Sequence, residues 1–151
     1  MHGVKHLIKE GKHFCVLPWI HFHSWPNGNV MPCCVADSSK PVAKIKSDES
    51  IIQMMNSEDF KRLRRDMLED KPSPECKRCN DVELLGTWTM RQSHNKRRGF
   101  EYIDMIEATN KDGSIDNFEM RCTLSSNAAV STATTKFFNL TDLFLITSIF
   151  G

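Results

Sequence analysis

The sequence predicts a small α+β domain, a β-hairpin followed by short helices, organised around a metal centre. Three observations predict it. A strand-like run from Phe14 to Val35 is interrupted by Pro26-Asn27-Gly28-Asn29; helical periodicity sets in after Ser50; and thiols stand in both parts, at Cys15, Cys33 and Cys34 and again in Cys76-Lys-Arg-Cys79. If the two parts converge, four sulfurs can surround one centre, and soft thiolates select zinc or an iron–sulfur cluster over hard cations.

With 151 residues the chain suits one domain with a modest core. A formal charge of +1, with acidic and basic residues interspersed, gives no bulk attraction to nucleic acid or to a membrane surface. The N-terminal MHGVKHLIKEGKHF carries charges throughout and has no apolar run or small-residue cleavage site, so the expected location is cytoplasmic. In a reducing compartment the six cysteines read as ligands or buried thiols before disulfides.

Residues 1–12 form a polar lead-in, a short helix or an extended arm, with His2, His6 and His13 read as solvated. The hairpin is expected to turn at Asn27-Gly28, because both residues tolerate positive φ. Side chains alternate along a strand, so adjacent Cys33 and Cys34 point apart. If Met31 and Val35 mark the core face, Cys33 is the inward thiol and Cys34 the spare. Trp19, His21, His23 and Trp25 then share one face of the first strand. Residues 36–49 read as a loop broken by Pro41.

Ser50-Ile-Ile-Gln53 has the form of a capping box and opens a short helix. Asn56 or Ser57 caps a second, with Phe60, Leu63 and Met67 at helical spacing on its buried face. Lys61, Arg62, Arg64 and Arg65 read as a solvated face balanced by Asp66, Glu69 and Asp70. Lys71-Pro72-Ser73-Pro74 ends that helix and delivers the chain to Cys76. A CxxC turn lets two thiolates grip one centre, and its proline-rich lead-in departs from the βαβ setting of thioredoxin-like redox sites. Residues 81–95 read as one helix containing Gly86, whose cost of about 1 kcal/mol against alanine suggests close packing there. Lys96-Arg97-Arg98-Gly99 ends it with charge that suits the helix dipole. Lys111-Asp112-Gly113-Ser114 is a turn.

After Arg121 the composition breaks. CTLSSNAAVSTATTKFFNLTDLFLITSIFG holds only Lys136 and Asp142 as charges, and its apolar part falls short of the roughly 20 residues that span a bilayer. The expected domain plan is a lead-in at 1–12, a metal-centred domain at 13–99, a linker at 100–121 and an aberrant or disordered tail at 122–151, which a frameshift or premature end in the coding sequence would explain.

The spacing Cys15-x12-Gly28-x4-Cys33, followed by Cys76-x2-Cys79, resembles the SPASM and twitch auxiliary-cluster domains of radical S-adenosylmethionine enzymes. The strings FCVLPWIH and PNGNVMPCC, the helix from Asn56-Ser57 to Met67 with Lys61-x2-Arg64, and Cys76-x2-Cys79-x3-Glu83-x2-Gly86 running to Arg91 and Asn95 carry the likeness over residues 13–96. The resemblance implies that Cys15, Cys33, Cys76 and Cys79 ligate one auxiliary [4Fe-4S] cluster. It also implies a radical core as partner in cis. That core's CxxxCxxC, which binds the catalytic cluster and S-adenosylmethionine, does not occur in this sequence, so the expectation is an auxiliary module truncated before its catalytic part and inactive alone. No further cysteine stands between Cys79 and Cys122, which makes twitch-like the closer description. The reading from another function class is a small zinc-binding structural or interaction module using the same four thiols.

Overall fold

In the computed structural model, residues 3–118 are described. The chain runs α1 (Val4–Glu10), α2 (Leu17–Ile20), β1 (His23–Ser24), β2 (Asn29–Met31), β3 (Ala43–Lys44), α3 (Ile51–Met55), α4 (Glu58–Leu68), α5 (Lys77–Leu84), α6 (Met90–Arg98) and α7 (Ile103–Glu107). The strands form one antiparallel sheet in the order β1-β2-β3, with His23 opposite Met31 and Val30 opposite Ala43. This is a small α+β domain, as the sequence predicts. The tail at 122–151 lies outside the described residues.

The hairpin is shorter than its sequence pattern. Pro18 sits in the first turn of α2, where its fixed φ suits a helix and its missing N–H costs nothing, so Leu17–Ile20 coils instead of extending. Trp19 therefore leaves the face it was expected to share with His21 and His23. It is fully buried against Phe14, and its indole N–H donates to Thr109 Oγ1 at 2.8 Å. The turn also shifts. Gly28 N–H donates to the Trp25 carbonyl, so Pro26 and Asn27 are its central residues, and only Gly28 takes positive φ, at 81°. The predicted loop at 36–49 contains β3, which completes the sheet.

Ser50 and Gln53 close the capping box on α3, and Ser57 caps α4. Phe60, Leu63 and Met67 are buried as their spacing predicts. Arg64 departs from the solvated face. It is fully buried, donating to the carbonyls of Pro18, Met55 and Gly113 with its guanidinium 5.3 Å from the Phe60 ring centre. Burial pulls its pKa down to about 10.

The single helix expected over 81–95 is two. Gly86 has φ of 77° and nothing within 4 Å of where a Cβ would stand, so conformation and not close packing selects glycine. Its N–H donates to Glu83 and that of Thr87 to Val82, a Schellman end to α5. Thr89 and Gln92 then form a capping box that starts α6. α1 contributes Val4, Leu7 and Ile8 to the same core as Tyr102, Ile106 and Ile115. That core spans both termini of the described chain and backs the cysteine-bearing segments.

Candidate metal centre

Cys15, Cys33, Cys76 and Cys79 line one pocket, with Leu17, Val35, Ala36 and Met90 as apolar walls and Arg91 beside them. The four thiols arrive on three segments that the fold fixes separately. Cys76 ends a 3₁₀ turn at Pro74–Cys76 and Cys79 lies in the first turn of α5, so the CxxC bends back on itself as a helix start. Cys33 follows β2 in a turn, and the N–H of Asp37 donates to the Glu75 carbonyl at 3.0 Å, tying that turn to the residue before Cys76.

The segment carrying Cys15 has no regular structure of its own and is held by side chains from elsewhere. Asp70, in the left-handed conformation just past α4, accepts the backbone N–H groups of Lys12, His13 and Phe14. Asn95 accepts from Val16 N–H at 2.9 Å and donates to the Phe14 carbonyl at 2.9 Å. Arg91 donates to the carbonyls of Gly11 and Phe14. His13, expected to be solvated, is half-buried, with its ring nitrogen 3.2 Å from Asn80 Oδ1 beside Cys79.

The electrostatics are those of thiols crowded away from water. Burial pushes Cys15 up to about 12 against a backbone N–H from Leu17, and the neighbouring Cys33 and Cys79 push it further. Burial likewise raises Cys33 to about 11. Cys76 is raised first by burial and then by the other three thiols. Cys79 is raised by burial, opposed by the Arg91 backbone N–H. Four thiols raised by burial and by one another ionise together only where a cationic centre offsets their charge. The donor chemistry and the shared pocket therefore fit a thiolate-held group. Among the described residues, no three His, Cys, Asp or Glu side chains are grouped to hold a single metal ion.

Cys34 is exposed, its sulfur 3.9 Å from that of Met90. The strand argument separates Cys33 from Cys34 in the right sense, but β2 ends at Met31, so a turn and not strand alternation separates them. His21 and His23 stack at 6.0 Å and His23 meets Trp25 edge-on at 6.2 Å, so three of the four residues placed on that face do adjoin. Arg91 and Asn95 carry the family likeness in the sequence without a role attached, and Asp70 reads there only as a surface charge; the structure makes all three supports of the Cys15 segment. The motif Thr89-x-x-Gln92 is the signal that would have placed Arg91 in the first turn of a new helix.

Residues 15–80 match the model of the SPASM family, described as an iron-sulfur cluster-binding domain. The matched stretch begins on Cys15 and ends one residue after Cys79, so it encloses the four cysteines of the pocket. Comparisons with curated proteins and with solved structures gave no match.

Proposed function

We propose that the segment spanning Cys15 to Asn80 is an iron–sulfur module that holds one [4Fe-4S] cluster on Cys15, Cys33, Cys76 and Cys79, serving as the auxiliary-cluster part of a radical S-adenosylmethionine enzyme. The observation that carries this reading is the meeting of four thiols from three separate segments in one pocket, inside the stretch that matches a cluster-binding family. When bound, the cluster would supply a redox-active or substrate-anchoring group. The chain's own residues supply the thiolates, apolar walls that limit water, and backbone N–H groups from Leu17, Val35 and Arg91 directed at the sulfurs.

Zinc in the same site would require four donors close enough to share one ion, with Zn–S at about 2.3 Å. The same four thiols offer the tetrahedral donor set of either centre, and the match of residues 15–80 to a cluster-binding family favours iron–sulfur. The partner is a radical core that binds S-adenosylmethionine, and the cytoplasm is the compartment that keeps such thiols reduced.

Anaerobic purification followed by iron, sulfide and zinc analysis tests the proposal. The expected result is a brown protein with about four irons and four sulfides per chain, the stoichiometry of one cubane cluster. Serine at any one of Cys15, Cys33, Cys76 or Cys79 should lower that content, while Cys34→Ser retains it. A colourless protein with one zinc per chain would establish the other metal. Retention by Cys33→Ser together with loss in Cys34→Ser would reverse the assignment of those two thiols.

A further inference from the structure

We infer, resting on the reading that the four-thiol pocket holds an iron–sulfur cluster, that Arg91 is the positioning residue of that pocket and fixes Cys15 against Cys79. Arg91 is 6% exposed and lines the pocket. Its Nη1 donates to the Gly11 carbonyl at 2.9 Å and to the Phe14 carbonyl, the one immediately before Cys15, at 2.8 Å. Its Nε and Nη2 engage both carboxylate oxygens of Glu83. Glu83 lies four residues after Cys79 on α5, and residues so spaced share one helix face. The backbone N–H of Arg91 lies close enough to Cys79 to draw down the pKa of its thiol against burial. One side chain and its own amide thus reach both the approach to Cys15 and the helix that carries Cys79.

The fork geometry matters as well as the charge. A guanidinium presents planar donors in two directions, whereas a lysine ammonium is a point donor that cannot span a carboxylate and two carbonyls together. Glu83 has a separate part. Beside a cluster held by four thiolates, an unbalanced guanidinium would draw the reduction potential upward, and the Glu83 carboxylate offsets it. Thr89 Oγ1, at the cap of α6, also donates to Glu83, so the carboxylate is held by both Thr89 and Arg91.

The test uses the full chain reconstituted anaerobically with ferrous iron and sulfide, comparing wild type with Arg91→Lys, Glu83→Gln and Arg64→Lys. Arg64 is a fully buried arginine that does not line the pocket, so its variant reports the effect of lost stability. Measured are iron and sulfide per chain, the rate of bleaching by a chelator, the reduction potential from an EPR-monitored titration, and the thermal midpoint. Arg91→Lys should hold its cluster roughly 10- to 100-fold less tightly, the usual scale for residues that orient metal ligands. Glu83→Gln should shift the potential to more positive values. Arg64→Lys should lower the thermal midpoint and leave bleaching and potential as in wild type. Wild-type bleaching and potential in both Arg91→Lys and Glu83→Gln would overturn the inference, as would the same changes in Arg64→Lys. If Arg91→Lys does not fold, Glu83→Gln decides by its potential. Wild type that takes up no iron and sulfide would overturn the proposed function itself, a result distinct from an unaffected variant.

Discussion

Asp70 and His13 lie 57 positions apart and are joined by a hydrogen bond of 2.7 Å from the His13 backbone N–H to the Asp70 carboxylate. Asp70 occupies the left-handed position that ends α4, with φ of 52°, where glycine is the usual occupant. The Lys71 N–H donates to Asp66 and the Asp70 N–H to Met67, which completes the helix end. An aspartate tolerates this backbone at a cost, and here its carboxylate anchors the segment that leads to Cys15.

Exchange at Asp70 separates those two roles. Asp70→Ala loses the carboxylate and keeps the strained backbone, and should destabilise the domain by about 2 kcal/mol, the scale for hydrogen bonds to a charged group. Asp70→Gly loses the same hydrogen bonds but relaxes the backbone, so it should cost less. Urea unfolding of the metal-free protein measures both. Equal losses would mean that the left-handed conformation contributes nothing.

Acid should weaken this anchor. Burial alone would raise the Asp70 pKa, but the N–H groups of His13, Lys12 and Phe14 outweigh it and hold the carboxyl below its ordinary 3.8. A carboxyl depressed in the folded state stabilises fully above its unfolded pKa and loses that contribution as pH falls through the folded value. The stability difference between wild type and Asp70→Asn should therefore be constant above about pH 5 and shrink below about pH 4. A difference that persists undiminished at pH 2 would contradict this.

The buried thiols act in the opposite pH range. Cys15 and Cys33 are raised from 9.0 to about 12 and about 11, chiefly by burial. Groups raised in the folded state favour folding below their unfolded pKa, and that contribution is lost as pH climbs through the folded values. The metal-free protein should thus lose stability from about pH 9 upward. Its Cys15→Ser variant should show a shallower loss, read as thermal midpoint against pH. A slope unchanged by that substitution would show that Cys15 ionisation does not drive the loss.

Alkylation of the metal-free protein should begin at Cys34. This thiol is exposed, whereas Cys15 is buried and the other three cysteines of the pocket are half-buried. Timed iodoacetamide labelling with peptide mass mapping checks the order, and earlier labelling of Cys15 than of Cys34 would contradict the burial pattern.

Arg64→Met should destabilise the fold by about 3 kcal/mol, because it leaves the carbonyls of Pro18, Met55 and Gly113 without their buried donor. A chemical denaturation midpoint close to that of wild type would show that water replaces the guanidinium.

The sequence by itself determined the pieces whose signals are local. The capping box at Ser50 and Gln53, the cap at Ser57 and the stripe of Phe60, Leu63 and Met67 are all formed as read, because each depends on neighbours within one or two turns. The α+β class followed from the same patterns. Only the tertiary structure decided where the chain extends and where it coils between Phe14 and Cys34: Pro18 starts a helical turn, and burial of Trp19 against Phe14 takes it away from the histidines. The same holds for Arg64 and Asp70, which belong by type to a charged surface and were drawn inward by backbone groups from distant segments. It holds also for the pocket. The family resemblance implied its four thiols and ran on to Arg91 and Asn95, but what holds the pocket together is Asp70, Arg91 and Asn95 gripping the strandless approach to Cys15 across 56 to 81 positions of chain, a long-range pairing of polar groups.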